Sequence, residues 1–221
     1  MDTLFDVDAV SVASSKSNEW YTKRKYIEAA RNVMGSIDLD PASCTEANKT
    51  VKAMRYFTEQ DNGLLQDWEC ETCWLNPPYG RANDSNAGYS IGRRLGGGKS
   101  IASLFVKRLI DEYKAGRIKQ AILLVTSDTD AAWFVPLWEY SICFAAHRVL
   151  FHRPGLEDQG QFFGSCFVYL GPHATRFAHT FSEFGPVVLP SSVYRRPQPI
   201  IQTTFWNKEQ HGKTENHDDG L

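Results

Sequence analysis

The sequence predicts an α/β fold with a mostly parallel sheet and helices on both faces. Residues 120–126 carry Ala121-Ile122-Leu123-Leu124-Val125, apolar on both sides of a strand, as when a strand is buried between two layers. Segments of helical period alternate with short apolar runs that end in turn residues. No internal repeat interrupts that alternation, so one layered domain is expected.

The elements follow in order. Residues 1–17 read as a flexible leader, and Ser17-Asn18-Glu19 offers capping groups before a helix over 23–33. Its apolar residues Tyr26, Ile27, Ala30 and Val33 fall on one face, and Gly35 stands where a helix ends. A strand is expected over 36–40 running into Pro41, then a helix within 42–54, and strands over 55–58 and 73–75. Pro77 and Pro78 stop the last of these at once. Residues 81–100 have the glycine-rich polar composition of a mobile loop. A helix over 101–114 closes at Gly116, followed by the 120–126 strand. A short helix over 130–138 and strands over 141–145 and 162–170 complete a domain of residues 18–206, and 207–221 form a polar tail.

Bulk properties narrow the function classes. With 221 residues, 42% hydrophobic and 23% charged, the chain is an ordinary globular protein long enough to bury its own core. It lacks an apolar stretch of about 18 residues, so no membrane partner is expected. The N-terminus does not read as a secretory signal, and five cysteines, an odd number, suit reduced thiols in a cytoplasm. A net charge of −2 argues against coating nucleic acid by bulk charge, but allows a local basic patch.

The chemistry concentrates in Asn76-Pro77-Pro78-Tyr79, just after a predicted strand, where ligands bind in open α/β sheets. The exocyclic amine of adenine is a poor nucleophile because its lone pair is delocalised into the ring. The Asn76 side-chain oxygen and the Pro77 carbonyl could accept both amine hydrogens and return electron density to nitrogen. Pro77 and Pro78 fix the backbone, and Tyr79 offers a face on which a base can stack. The same tetrapeptide could equally be a proline turn that ends a strand.

Other motifs read differently. Gly96-Gly97-Gly98-Lys99-Ser100 is not a phosphate-binding loop, because Arg93 stands where a glycine is required and no buried strand precedes it. Arg81, Arg93, Arg94 and Lys99 are either DNA-phosphate contacts or a solvated loop, and Arg148, His152 and Arg153 form a second basic cluster. Cys70 and Cys73, like His147 and His152, have half-site metal spacing, but the pairs are distant and no metal is expected. Trp20, Trp68 and Trp74 could simply be core.

In its ordered blocks the sequence resembles the phage-type Dam DNA N6-adenine methyltransferase family. The blocks are Glu19-Trp20-Tyr21-Thr22, Leu39-Asp40-Pro41-Ala42-Ser43, Tyr56-Phe57-Thr58 with Asp61-Asn62-Gly63-Leu64 and Trp68, Trp74 to Gly80, and Gly160 to Tyr169 after Arg148. The resemblance implies a Rossmann-like fold that binds S-adenosylmethionine and methylates a flipped adenine in double-stranded DNA. It further implies that Asp40, Pro41, Ala42, Ser43 and Asp61 contact the cofactor, with Trp20 and Thr22 as a wall. A monomer in a bacterial cytoplasm, phage- or prophage-encoded and in a restriction-modification setting, is the accompanying expectation. Methylation of another planar amine (cytosine N4, RNA adenine or protein glutamine) and a non-catalytic DNA-binding module remain alternatives.

Overall fold

The computed structural model describes residues 21–79, 100–152, 159–160 and 163–190. In chain order the elements are β1 (Tyr21–Thr22), α1 (Arg24–Met34), β2 (Leu39–Asp40), α2 (Thr45–Val51), β3 (Arg55–Tyr56) and a 3-10 turn, Gly63–Leu65. Then come β4 (Cys70–Leu75), α3 (Ile101–Lys114), β5 (Ile118–Thr126) and a 3-10 segment, Val135–Glu139. The last are β6 (Ser141–Phe144), β7 (Leu150–His152), β8 (Gln159–Gly160), β9 (Ser165–Leu170), α4 (Ala174–Phe181) and β10 (Val187–Val188).

The strongest periodic signals became the longest elements. α1 buries Tyr26, Ile27, Ala30 and Val33 as its spacing requires, and ends on Gly35 at φ 90, whose N–H donates to the Arg31 carbonyl. α3 occupies the predicted 101–114, and β5 extends the predicted strand by two residues toward its start. The predicted helix over 42–54 is shorter than expected. Cys44 caps α2, its Sγ accepting from the Ala47 amide, and Lys52 ends it in a left-handed conformation at φ 49. The helix expected over 130–138 is only the 3-10 segment, which has Pro136 in its first turn. The leader cap at 17–19, the 81–99 loop and the 207–221 tail lie outside the described residues.

The main sheet has seven strands in the order β10-β6-β9-β5-β4-β2-β3. β3, β2, β4 and β5 are mutually parallel, whereas β9 is antiparallel to both β5 and β6, and β10 to β6. The sheet is therefore mixed, which corrects the expectation of a mostly parallel one. A parallel neighbour needs a crossover connection, commonly a helix. Between β6 and β9 the described chain forms the β7–β8 hairpin instead, and β9 returns antiparallel.

Alternating side chains of the central strands feed two core layers. Cys73, Leu75, Ala121, Leu123 and Val125 pack with α3 on one face. Trp74, Ile122, Leu124, Phe167 and Tyr169 pack with α1 and α4 on the other. Helices thus cover both faces, and the alternation explains why the β5 sequence is apolar throughout. A separate small sheet, β1-β7-β8, sets Thr22 opposite Phe151 and Tyr21 opposite His152.

Candidate active site

Strands β2 and β4 lie side by side, with Leu39 opposite Cys73. From β2 the chain passes to α2, whose Val51 joins the core layer of α1. The first described helix after β4 is α3, in the opposite layer. In an open α/β sheet, such a divergence opens a crevice beyond the carboxyl ends of the two strands. A cleft of about 650 Å³ lies there. Its lining includes Thr22 from β1, Asp40, Ala42 and Ser43 after β2, and Asn76, Pro77, Pro78 and Tyr79 after β4. Eight of the residues singled out from the sequence are thereby brought together.

Asp40 closes β2 and is 3% exposed, yet it is charge-bearing and lines the cleft. Burial pushes its carboxyl up to about 7, opposed only by the nearby Ser43 hydroxyl and the Ala42 amide. The Ala42 N–H donates to Asp40 Oδ1 at 3.3 Å. Pro41 is buried and is not among the residues lining the cleft. Its carbonyl instead presses on the backbone of Gly63, where an added Cβ would sit 1.9 Å from the Pro41 oxygen. Only glycine fits at that approach.

Asp61 does not line the cleft either. Its Oδ2 accepts from the Thr58 amide at 2.8 Å and the Thr58 hydroxyl at 2.7 Å, and these bonds hold its carboxyl below the usual range. Thr58 is part of the lining, with Glu59 and Gln60, so Asp61 shapes that wall from behind. Beneath it, the buried Trp68 Nε1 donates to the Gly63 carbonyl at 2.7 Å. Arg108 on α3 donates to the Leu64 and Gln66 carbonyls and lies 4.9 Å over the Trp68 ring.

The Asn76 loop leaves β4 directly. Pro77 is buried, while Asn76, Pro78 and Tyr79 are half-buried on the cleft. Asn76 Nδ2 donates to Thr22 Oγ1 at 3.4 Å, which joins β1 to the loop across the cleft. Pairing of β1 with β7 holds Thr22 in place for that contact.

The structure adds Tyr21, Cys44, Thr45, Glu46, Ala47, Val51, Glu59, Gln60, Trp74 and Ile101 to the lining. Glu46 and Cys44 were hidden by the expectation of a helix starting at 42. The true cap at Cys44 makes 41–43 a turn that faces the site. Trp68 and Trp74 are core, as one reading of the sequence allowed, although Trp74 also borders the cleft. Arg148 is exposed just before β7. Trp20, Arg81, Arg93, Arg94, Lys99 and Arg153 lie outside the described residues. Among the described residues, no group of three or more His, Cys, Asp or Glu could hold a metal ion, and no helix is long and apolar enough to cross a membrane. A second cavity of about 570 Å³, between α3 and the 132–136 segment, contains none of the predicted site residues.

The model of a protein family described as DNA N-6-adenine-methyltransferase (Dam) matches residues 10–159. No match is found among curated proteins.

Proposed function

The chain belongs to the DNA N-6-adenine-methyltransferase (Dam) family, and from that premise we propose that the cleft binds S-adenosylmethionine beside a flipped adenine whose N6 it methylates. The observation that carries the reading is the convergence of the Asp40–Ser43 turn and the Asn76–Tyr79 loop on one cleft of about 650 Å³. That volume lies within the range of small-molecule sites. The lining suits the donor: hydroxyls of Tyr21, Thr22 and Thr58, the aromatic Trp74, and carboxyls that favour a cation. S-adenosylmethionine supplies an already activated methyl group, so no strong general base is required of the protein.

The chain's own residues then do three things. Asn76 presents its side-chain oxygen to the adenine amine, because Thr22 Oγ1 engages the nitrogen end of the same amide. Pro77 adds its carbonyl as the second acceptor, on a backbone that needs little ordering. Tyr79 stacks on the base, which has left its duplex at a cost of a few kcal/mol. The fold is Rossmann-like in this reading: β3, β2, β4 and β5 form its parallel half, and β9 is the reversed strand. Arg148, with Arg81, Arg93, Arg94, Lys99 and Arg153 from the sequence, contacts phosphates of double-stranded DNA. A setting in a phage, prophage or restriction-modification system belongs to the same proposal.

The test is transfer of a labelled methyl group from S-adenosylmethionine to DNA, with the product nucleosides resolved by mass. N6-methyladenine is expected. Label in cytosine, in RNA or in protein alone would sink the adenine assignment, and absence of transfer to any acceptor would sink the enzyme.

A further inference from the structure

The charged side chains among the described residues lining the cleft share one sign. Asp40, Glu46 and Glu59 line it, and no described lining residue is Lys or Arg. Glu46 is paired with Lys49 on the exposed side of α2, but among the described residues Asp40 meets no cation, and its ionised form is favoured there by the Ser43 hydroxyl and the Ala42 amide. A carboxyl that is 3% exposed and turned to a cavity without a counter-charge is costly to keep ionised unless the ligand brings the charge. Its setting also shields it from water, so its attraction for a cation is felt over several ångströms.

We propose that the cleft reads the charge of its ligand, with Asp40, backed by Glu59 and Glu46 at the mouth, retaining the cationic methylsulfonium donor and releasing the neutral thioether product. The inference rests on the reading that the ligand is S-adenosylmethionine. In the transfer, the N6 lone pair forms the new N–C bond, the S–C electron pair stays on sulfur, and an N6 proton leaves to water. The sulfonium charge therefore vanishes in the chemical step itself. Donor and product differ by one methyl group and that one charge, and Asp40 responds to the charge. Release is thus coupled to turnover without a moving part.

Other titratable groups surround Asp40. They are Cys73 on β4, Tyr56 opposite it on β3, Tyr21 on β1, Cys44 and Glu46 at the start of α2, and Glu59. Arg55 on β3 is a cation felt at Cys73, but its guanidinium donates to the Glu69 carbonyl and it is not among the groups that act on Asp40.

The experiment is calorimetry on the full chain with three ligands: the donor, its thioether product, and an analogue bearing a protonated amine in place of the methylsulfonium. Donor and amine analogue are expected to bind at least tenfold tighter than the thioether. Asp40→Asn should shrink that ratio below threefold, chiefly by weakening the two cations, and Glu59→Gln should lower it by less. A second measurement uses the unaltered protein near pH 7, in two buffers of different ionisation enthalpy. The donor should drive a proton off the site, and the thioether should not. Equal affinity for all three ligands, an unchanged ratio in Asp40→Asn, or equal proton release by donor and product would overturn the inference alone. Were none of the three bound, the reading of the ligand would fall with it.

Discussion

Replacing Gly63 with alanine should damage donor binding and stability together, although residue 63 lies behind the cleft. A Cβ there would stand 1.9 Å from the Pro41 carbonyl oxygen, 3.0 Å from its carbon and 3.5 Å from the Phe105 ring. Relief requires a shift of roughly 1 Å between two backbone segments in a close-packed interior. Residue 63 cannot easily retreat, because its carbonyl holds Trp68 Nε1 at 2.7 Å. Overpacking of this kind costs about 1–3 kcal/mol, and contact between two backbones puts Gly63→Ala at the upper end. Part of the shift falls on Pro41, next to Asp40, so donor affinity should drop about tenfold, roughly 1.4 kcal/mol. Urea unfolding followed by tryptophan fluorescence measures the first effect and calorimetry the second. Gly35→Ala is the control, since φ is 90 there but nothing lies within 4 Å of an added Cβ. It should cost roughly 1–2 kcal/mol of stability, with no change in donor affinity. A Gly63→Ala protein with the parent's unfolding midpoint and donor affinity would refute the close-contact argument.

Three further predictions concern the Asn76 loop, the Arg108 brace and the buried carboxyl. Asn76→Ala and Tyr79→Ala should each lower kcat for DNA methylation, the first by about 100-fold or more and the second less, with donor affinity changed under threefold in calorimetry. Arg108→Ala should destabilise by about 2–3 kcal/mol in urea, because two backbone carbonyls and the Trp68 face lose their charged partner; a change under about 0.5 kcal/mol would count against the brace. Asp40→Asn should stabilise the unliganded protein at high pH. The carboxyl goes from 3.8 in the unfolded chain to about 7 folded, so its contribution is full in acid and is lost as pH rises through 7. The amide escapes that loss, and thermal unfolding should show the variant gaining on the parent from about pH 4 to about pH 8, by at most roughly 4 kcal/mol.

Legibility in the sequence followed the range of the interactions. α1, α3 and β5 could be read because local periodicity and a single closing glycine determine them. The Asn76 loop and the Asp40 turn could be read because proline and aspartate announce turns at the ends of strands. β1, β7 and β10 could not, since two or three residues hold no period and exist through pairing with distant strands. α4 was missed although Phe177 and Phe181 fall one turn apart, because Gly171-Pro172 before it reads as a loop. The reversal of β9 was hidden for a related reason: strand direction follows from what fills residues 145–164, not from the strand itself. In the site, the sequence points to Asp61 but not to its partner Thr58, which lines the cleft. A side chain whose carboxylate accepts two bonds from Thr58 acts on the cleft through its neighbour.

The cleft places its most costly group, the buried Asp40, on one of the slightest elements of the sheet. β2 is only two residues long, and so is β3 beside it, so their own ladder bonds cannot fix the turn that follows. The fixing comes from behind. Arg108 on α3 holds the Leu64 and Gln66 carbonyls, Trp68 holds Gly63, and Gly63 abuts the Pro41 carbonyl next to Asp40. α3 is also the helix whose first residue, Ile101, borders the cleft beside the Asn76 loop. One helix therefore braces the turn after β2 through its middle and borders the cleft at its start. A rigid common support of this kind lets a buried carboxyl persist without its counter-charge, because the turn cannot swing outward to rehydrate it. In the proposed reading, a cationic ligand supplies the counter-charge that the described lining does not.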